Sequence, residues 1–129
     1  MLPLRSLIIT LTRLPWCFSP LQANVSAVAI ATHDIAATVQ DYSVRLGAQP
    51  CVVVPNEYAL WRTATLNFSV RQDAACAPGE LRHLGWEDDT ASGFTTDTDC
   101  NGILWERFSA AFQAAEINKI WPDTHDISE

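Results

Sequence analysis

Two side chains of this chain have the type and the setting for chemistry on a small molecule. His83 lies in Leu81 to Glu87 (LRHLGWE), which reads as a strand; alternation turns His83, Gly85 and Glu87 away from Leu84 and Trp86. Glu106 lies in Ile103 to Phe108 (ILWERF), a further strand whose Leu104, Glu106 and Phe108 share a face. An imidazole and a carboxyl group on one face can hold a cation, move a proton, or form a hydrogen-bonded ion pair that lines a cavity.

Weaker candidates surround them. Tyr58 and Arg62 on a third predicted strand, with Asn67, Ser69 and Arg71 on the polar face of a fourth, suit a cavity wall. Arg62 or Arg71 could grip a ligand carboxylate or phosphate with both arms of the guanidinium. Trp61, Trp86, Trp105 and Trp121 read as sheet–helix core, with one or two available to line an aromatic pocket. The serines lie in no Gly-x-Ser-x-Gly elbow, which argues against a serine hydrolase. His33-Asp34 reads as a helix start, His125-Asp126 as tail, and Glu87-Asp88-Asp89 as a solvated acidic loop. Cys17, Cys51, Cys76 and Cys100 show no CxxC and no zinc-type spacing, so they read as thiols in a reducing compartment.

The elements that must position these groups follow from pattern. Val25 to Ala31 is β-rich. Asp34 offers a helix N-cap, Ile35, Val39, Tyr42 and Leu46 make one apolar stripe, and Gly47 ends it. Cys51 to Val54, Tyr58 to Arg62 and Leu66 to Arg71 read as strands two to four. After the turn residues around Pro78-Gly79 come the strand of His83, a turn-rich stretch with a short strand near Phe94 to Thr96, and the strand of Glu106. Ser109 then caps a last helix stopped by Pro122. The order is β-α-β-β-β, then β-(β)-β-α, an α+β chain with a mixed sheet and helices on one face.

The chain has 129 residues, enough for one domain with its own core. Eight basic residues against fifteen acidic ones give a net charge of −7, with no Lys/Arg cluster, which excludes a nucleic-acid or anionic-membrane partner from the reading. No apolar run approaches the roughly 18 residues of a membrane span. Residues 1–24 read as an N-terminal extension. Arg5, Leu7-Ile8-Ile9 and Leu21-Gln22-Ala23 give them a faint signal-peptide look, so the expected location is cytoplasmic, or secreted if residues 1–23 are a signal.

The helix signature Asp34-Ile35, Thr38, Tyr42, Leu46-Gly47 resembles that of the vicinal oxygen chelate superfamily, which includes glyoxalases, extradiol dioxygenases and bleomycin resistance proteins. Arg82-His83-Leu84-Gly85-Trp86-Glu87-Asp88 is similar to the opening strand of that family's second module, and Asp99-Cys100-Asn101-Gly102-Ile103-Leu104-Trp105-Glu106 to its closing turn and strand. The resemblance runs from about Val25 to Ser109 and implies one full βαβββ module. The second module is truncated, because Asp88 to Gly102 cannot hold a helix and two strands. It frames residues 25–122 as a glyoxalase-like domain and 123–129 as a polar tail.

The resemblance also implies a site. Metal-dependent members take two ligands from each module, on its first and last strands. Here those positions fall on Ala27, Asn67, His83 and Glu106. Alanine coordinates nothing, and His83 and Glu106 alone are too few for a catalytic zinc. Two functions stay open. One is a metal-assisted lyase, isomerase or ring-cleaving dioxygenase holding one divalent ion on His83 and Glu106, with Glu106 also the proton-transfer base and Asn67, Tyr58 and Arg62 against the substrate. The other is a non-catalytic protein that sequesters a small molecule, as bleomycin resistance proteins do. Either fits a homodimer, in which two His83/Glu106 pairs brought face to face could supply four ligands. A degenerate interaction domain is the third, plainer option.

Overall fold

In the computed structural model, residues 25–124 are described. The readings of residues 1–24 as an extension or signal, and of the tail beyond Thr124, lie outside the described residues. The elements run β1 (Val25–Thr32), α1 (Ile35–Leu46), β2 (Val52–Val54), β3 (Tyr58–Arg62), β4 (Leu66–Gln72), β5 (Leu81–Glu87), β6 (Thr95–Thr98), β7 (Leu104–Phe108) and α2 (Ala110–Ile120). The seven strands form one sheet in the order β2-β3-β4-β1-β5-β7-β6. The fold is α+β with a mixed sheet.

Strand directions divide the sheet into two similar halves. β1 lies parallel to β4, with β3 antiparallel outside. β5 lies parallel to β7, with β6 antiparallel outside. β1 and β5 meet antiparallel at the centre. The first half has a helix between its first two strands and a fourth strand at the edge; the second half has neither. Its outer strand, Thr95–Thr98, is short, polar and wholly exposed, which discourages another chain from pairing with it.

α1 forms where its stripe predicts. The Asp34 carboxylate accepts from the Ala37 N–H at 3.0 Å, and Gly47 closes the last turn at φ +64°, a left-handed conformation that costs glycine little. Ile35 is buried against Ala59, Trp61 and Val70, with Val39, Tyr42 and Phe68 packed around them. Tyr42 stacks on Phe68 at 5.5 Å between ring centroids. α2 starts at Ser109, whose Oγ accepts from the Phe112 N–H at 3.1 Å. Its Ile117 is buried with Cys51, Val52, Tyr58 and Leu60.

The two helices therefore cover opposite faces of the sheet, not one face as the pattern suggested. The reason lies in β3. Tyr58, Ala59, Leu60 and Trp61 are all buried, an unbroken apolar run rather than an alternation. Tyr58 and Leu60 face α2; Ala59 and Trp61 face α1. Each large apolar side chain buried this way contributes about 1.5–3 kcal/mol, so both faces need a cover.

At Gly85 the backbone of β7 lies tight against β5. A Cβ there would overlap the Glu106 carbonyl oxygen, because Gly85 and Glu106 are register partners. We expect Gly85→Ala to force β7 outward and to lower stability by about 1–3 kcal/mol, the usual cost of overpacking. Urea unfolding of the variant measures this, and an unchanged midpoint would show that the close approach is not needed.

Candidate functional site

The face of the sheet under α2 holds a cavity of about 690 Å³, within the range of small-molecule sites. Its floor is β1, which presents Ala27, Ala29 and Ala31 on this side, all buried. These methyl groups leave room and offer no donor atom. Tyr58 and Trp121 stand at one side, stacked at 5.0 Å; Phe108 and Ile117 add apolar wall.

His83 and Glu106 come together as their strand faces require. His83 Nδ1 lies 3.6 Å from Glu106 Oε1, and the side chains are 21% and 19% exposed. The separation exceeds hydrogen-bond range, and Nδ1 is buried with no hydrogen-bond partner among the described residues. Burial, helped by the nearby Arg82 charge, pulls the imidazole pKa down to about 4, so it is neutral at pH 7. Burial also raises the Glu106 carboxyl, against the opposing pull of Arg82 and with a further push from Glu116. The pair is thus not the hydrogen-bonded ion pair that the residue types allow. It is a neutral ring facing a carboxyl group that holds its proton more tightly than usual.

The other expected residues divide. Tyr58 lines the cavity; burial pushes its pKa up to about 12, against the opposing pull of the nearby Ser69 hydroxyl. Asn67 also borders the cavity, but it is 2% exposed and its amide is engaged. Asn67 Nδ2 donates to Glu87 Oε1 and to Gln113 Oε1, each at 2.8 Å, and Gln113 Nε2 donates back to Asn67 Oδ1 at 3.2 Å. Arg62 is not in the cavity wall. Its Nε and Nη2 donate to the two oxygens of Glu87 at 3.2 and 3.0 Å, a fork across the sheet that takes it out of ligand binding. Glu87, read as part of a solvated acidic run, is instead buried.

Of the four positions that the family resemblance marks for a metal, Ala27 has no donor and Asn67 is committed, leaving His83 and Glu106. Among the described residues, no three or more His, Cys, Asp and Glu side chains are placed so that they could hold a metal ion together. A catalytic zinc takes three protein ligands, so these residues do not complete one within a single chain. No disulfide joins described residues, and no described helix is long and apolar enough to cross a membrane.

Arg82 and Gln113 went unread in the sequence. β5 slips register between Ala29 and Ile30: His83 pairs with Ala29, Leu81 with Ile30, and Arg82 is the extra residue. This bulge breaks the alternation, so that Leu81, Arg82 and His83 all line the cavity. Nothing in LRHLGWE marks the slip.

No family model matches the chain, and no curated protein matches it. Among solved structures, it is similar to an NAD-dependent benzaldehyde dehydrogenase from Legionella pneumophila, at 11% identity and TM-score 0.45, over 65% of this chain and 97% of that one. A hypothetical protein from Staphylococcus aureus aligns at 10% identity and TM-score 0.49, over 74% of this chain and 38% of that one. At this distance neither carries a function across.

The depressed histidine makes stability depend on pH. The unfolded imidazole titrates near 6.5 and the folded one near 4. Between those values the unfolded chain holds the extra proton, so acidification favours unfolding. The full loss is on the order of 3 kcal/mol, at 1.36 kcal/mol per pKa unit. Glu106, raised in the fold, takes up its proton there first and offsets part of the loss. Urea midpoints at pH 7 and pH 5 should differ in the native chain and converge in His83→Gln. A pH 7-to-5 difference no larger in the native chain than in His83→Gln would rule out a neutral buried imidazole.

Proposed function

We propose that this chain binds a small polar molecule in the cavity under α2. In this reading it is a small-molecule-handling protein of the glyoxalase, bleomycin-resistance and dioxygenase-like type that its sequence resembles, and it holds its ligand without a metal ion. The observation that carries this is the unpartnered Nδ1 of His83, 3.6 Å from Glu106 Oε1 inside a cavity of small-molecule size. A neutral imidazole offers one acceptor and one donor, and a carboxyl group with a raised pKa can donate as well as accept. Together they suit adjacent oxygens of a ligand, such as a hydroxyl beside a carbonyl. Sequestration needs no more than this fit.

A second reading is favoured by the same free imidazole nitrogen. His83 and Glu106 would be the first two ligands of a divalent ion, with the remaining donors from a second copy in a homodimer. The protein would then be a lyase, isomerase or dioxygenase with Glu106 as catalytic proton carrier.

One preparation separates the two. The chain is expressed with added zinc, manganese and iron, then analysed for metal content and for mass in solution, beside His83→Ala. We expect no stoichiometric metal in either. Ligand-observed NMR with a panel of small α-hydroxycarbonyl compounds should find binders to the native chain whose signals recover in Glu106→Ala. A stoichiometric metal that disappears in His83→Ala overturns the metal-free reading in favour of the enzyme. A panel in which nothing binds overturns ligand binding at this site.

A further inference from the structure

The arginines of the described chain divide by partner. Arg45, Arg62 and Arg107 each meet a carboxylate, that of Asp41, Glu87 and Asp88 respectively. Arg71 and Arg82 do not: neither guanidinium forms an ion pair or hydrogen bond with a described residue, and both line the cavity. Two half-buried cations on one cavity wall, in a chain of net charge −7, are unlike the rest of this surface.

Each is placed there by backbone geometry. Arg71 shares the cavity side of β4 with Asn67 and Ser69, opposite Tyr58 on β3. Its guanidinium carbon lies 5.2 Å from the centre of the Trp121 ring, which also stacks on Tyr58. Arg82 is turned in by the β5 bulge, beside His83. Both cations act on the Tyr58 phenol and on Asp73, so both lie within electrostatic reach of the same corner.

The acids at that corner are turned to other work. Asp73 accepts from the Ala75 N–H at 2.9 Å and faces the Cys76 thiol at 3.5 Å. Glu80 accepts from the Ala77 N–H at 2.8 Å. These carboxylates cap the turn between β4 and β5 and leave the guanidinium donors unused. Beside Arg71 stand Tyr58 and Trp121, stacked on each other; Ile117 and Ile120 add apolar wall, and Phe94 lies toward the Phe108 end of the cavity. Flat aromatic walls next to bidentate cation donors recognise a planar body that carries an anionic group.

We propose that the ligand of this cavity is a small organic anion with a flat apolar body. Its carboxylate or phosphate is held by Arg71 and Arg82, its plane lies along Trp121, and its far end reaches His83 and Glu106. The proposal rests on the reading of the cavity as a ligand site and names the class of ligand.

Calorimetric titration at low salt with benzoate, phenyl phosphate and neutral benzamide tests it. We expect either anion to bind at least about tenfold more tightly than benzamide, the scale of a charge-assisted contact. Arg71→Gln and Arg82→Gln should each weaken the anions by about that factor and leave benzamide unchanged, while Arg71→Lys keeps part of the preference. Circular dichroism of each variant checks its fold. Benzamide binding as tightly as the anions overturns the anion assignment and leaves the cavity a ligand site. Anion binding that neither arginine variant weakens also overturns it. If none of the three probes binds while the hydroxycarbonyl panel does, the ligand class is wrong and the site stands; if neither set binds, both fall.

Discussion

The buried carboxylate of Glu87 is the constraint around which the rest of the molecule is arranged. A carboxylate out of water costs several kcal/mol unless its oxygens are met, and the Arg62 fork and the Asn67 amide meet them. Arg62 sits on β3, Asn67 on β4 and Glu87 on β5, so the network spans β1 without using it. That span is open because Ala27, the β1 residue beside Asn67, carries only a methyl group. Asn67 then pairs reciprocally with Gln113 and fixes α2 over the sheet. The cavity wall and the helix above it are thus set by one satisfied charge. Removing either partner of such a buried pair typically costs about 3–5 kcal/mol, far more than an exposed pair like Arg45–Asp41 contributes.

The two halves of the sheet divide the labour unequally. The first half has β3 buried on both faces and α1 packed behind it, so its residues mostly make core. The second half lacks a helix of its own and relies on short-range devices. Asp99 accepts from the N–H groups of Asn101 and Ile103 and from Trp105 Nε1, and these bonds hold its carboxyl below the usual range. Asp88 takes two bonds from Thr90 and one from Arg107. The Asp99 bonds close the turn between β6 and β7, and the Asp88–Arg107 pair ties β7 to the end of β5, in the register that brings Glu106 to His83.

Much of this was legible in the chain. The Asp34 cap, the stripe from Ile35 to Leu46 and Gly47 define α1, because all three signals are local. Alternation in LNFSVRQ, LRHLGWE and LWERF put Asn67, His83 and Glu106 on definite faces. What could not be read depends on distant partners. Arg62 and Asn67 look like free polar groups until Glu87 and Gln113 fold against them. The side taken by α2 follows from the two-sided burial of β3, which a short apolar run does not declare. The bulge at Arg82 comes from the pairing of β5 with β1, and no residue in β5 announces it.

Arg82 also sets the sense in which charge and protonation are coupled at the site. Its field makes the imidazole harder to protonate and the carboxyl group easier to ionise, so it lowers both pKa values. Burial acts on the two in opposite directions, lowering the histidine and raising the glutamate. For the histidine the two effects add, which is why its shift is large; for the glutamate they compete. Neutralising Arg82 by an opposite charge would therefore raise both pKa values and make the pair take up protons. By linkage, protonating the pair would strengthen the hold on that charge by the same free energy. A site built this way cannot bind an anion beside Arg82 without altering the groups that face the other end of the ligand.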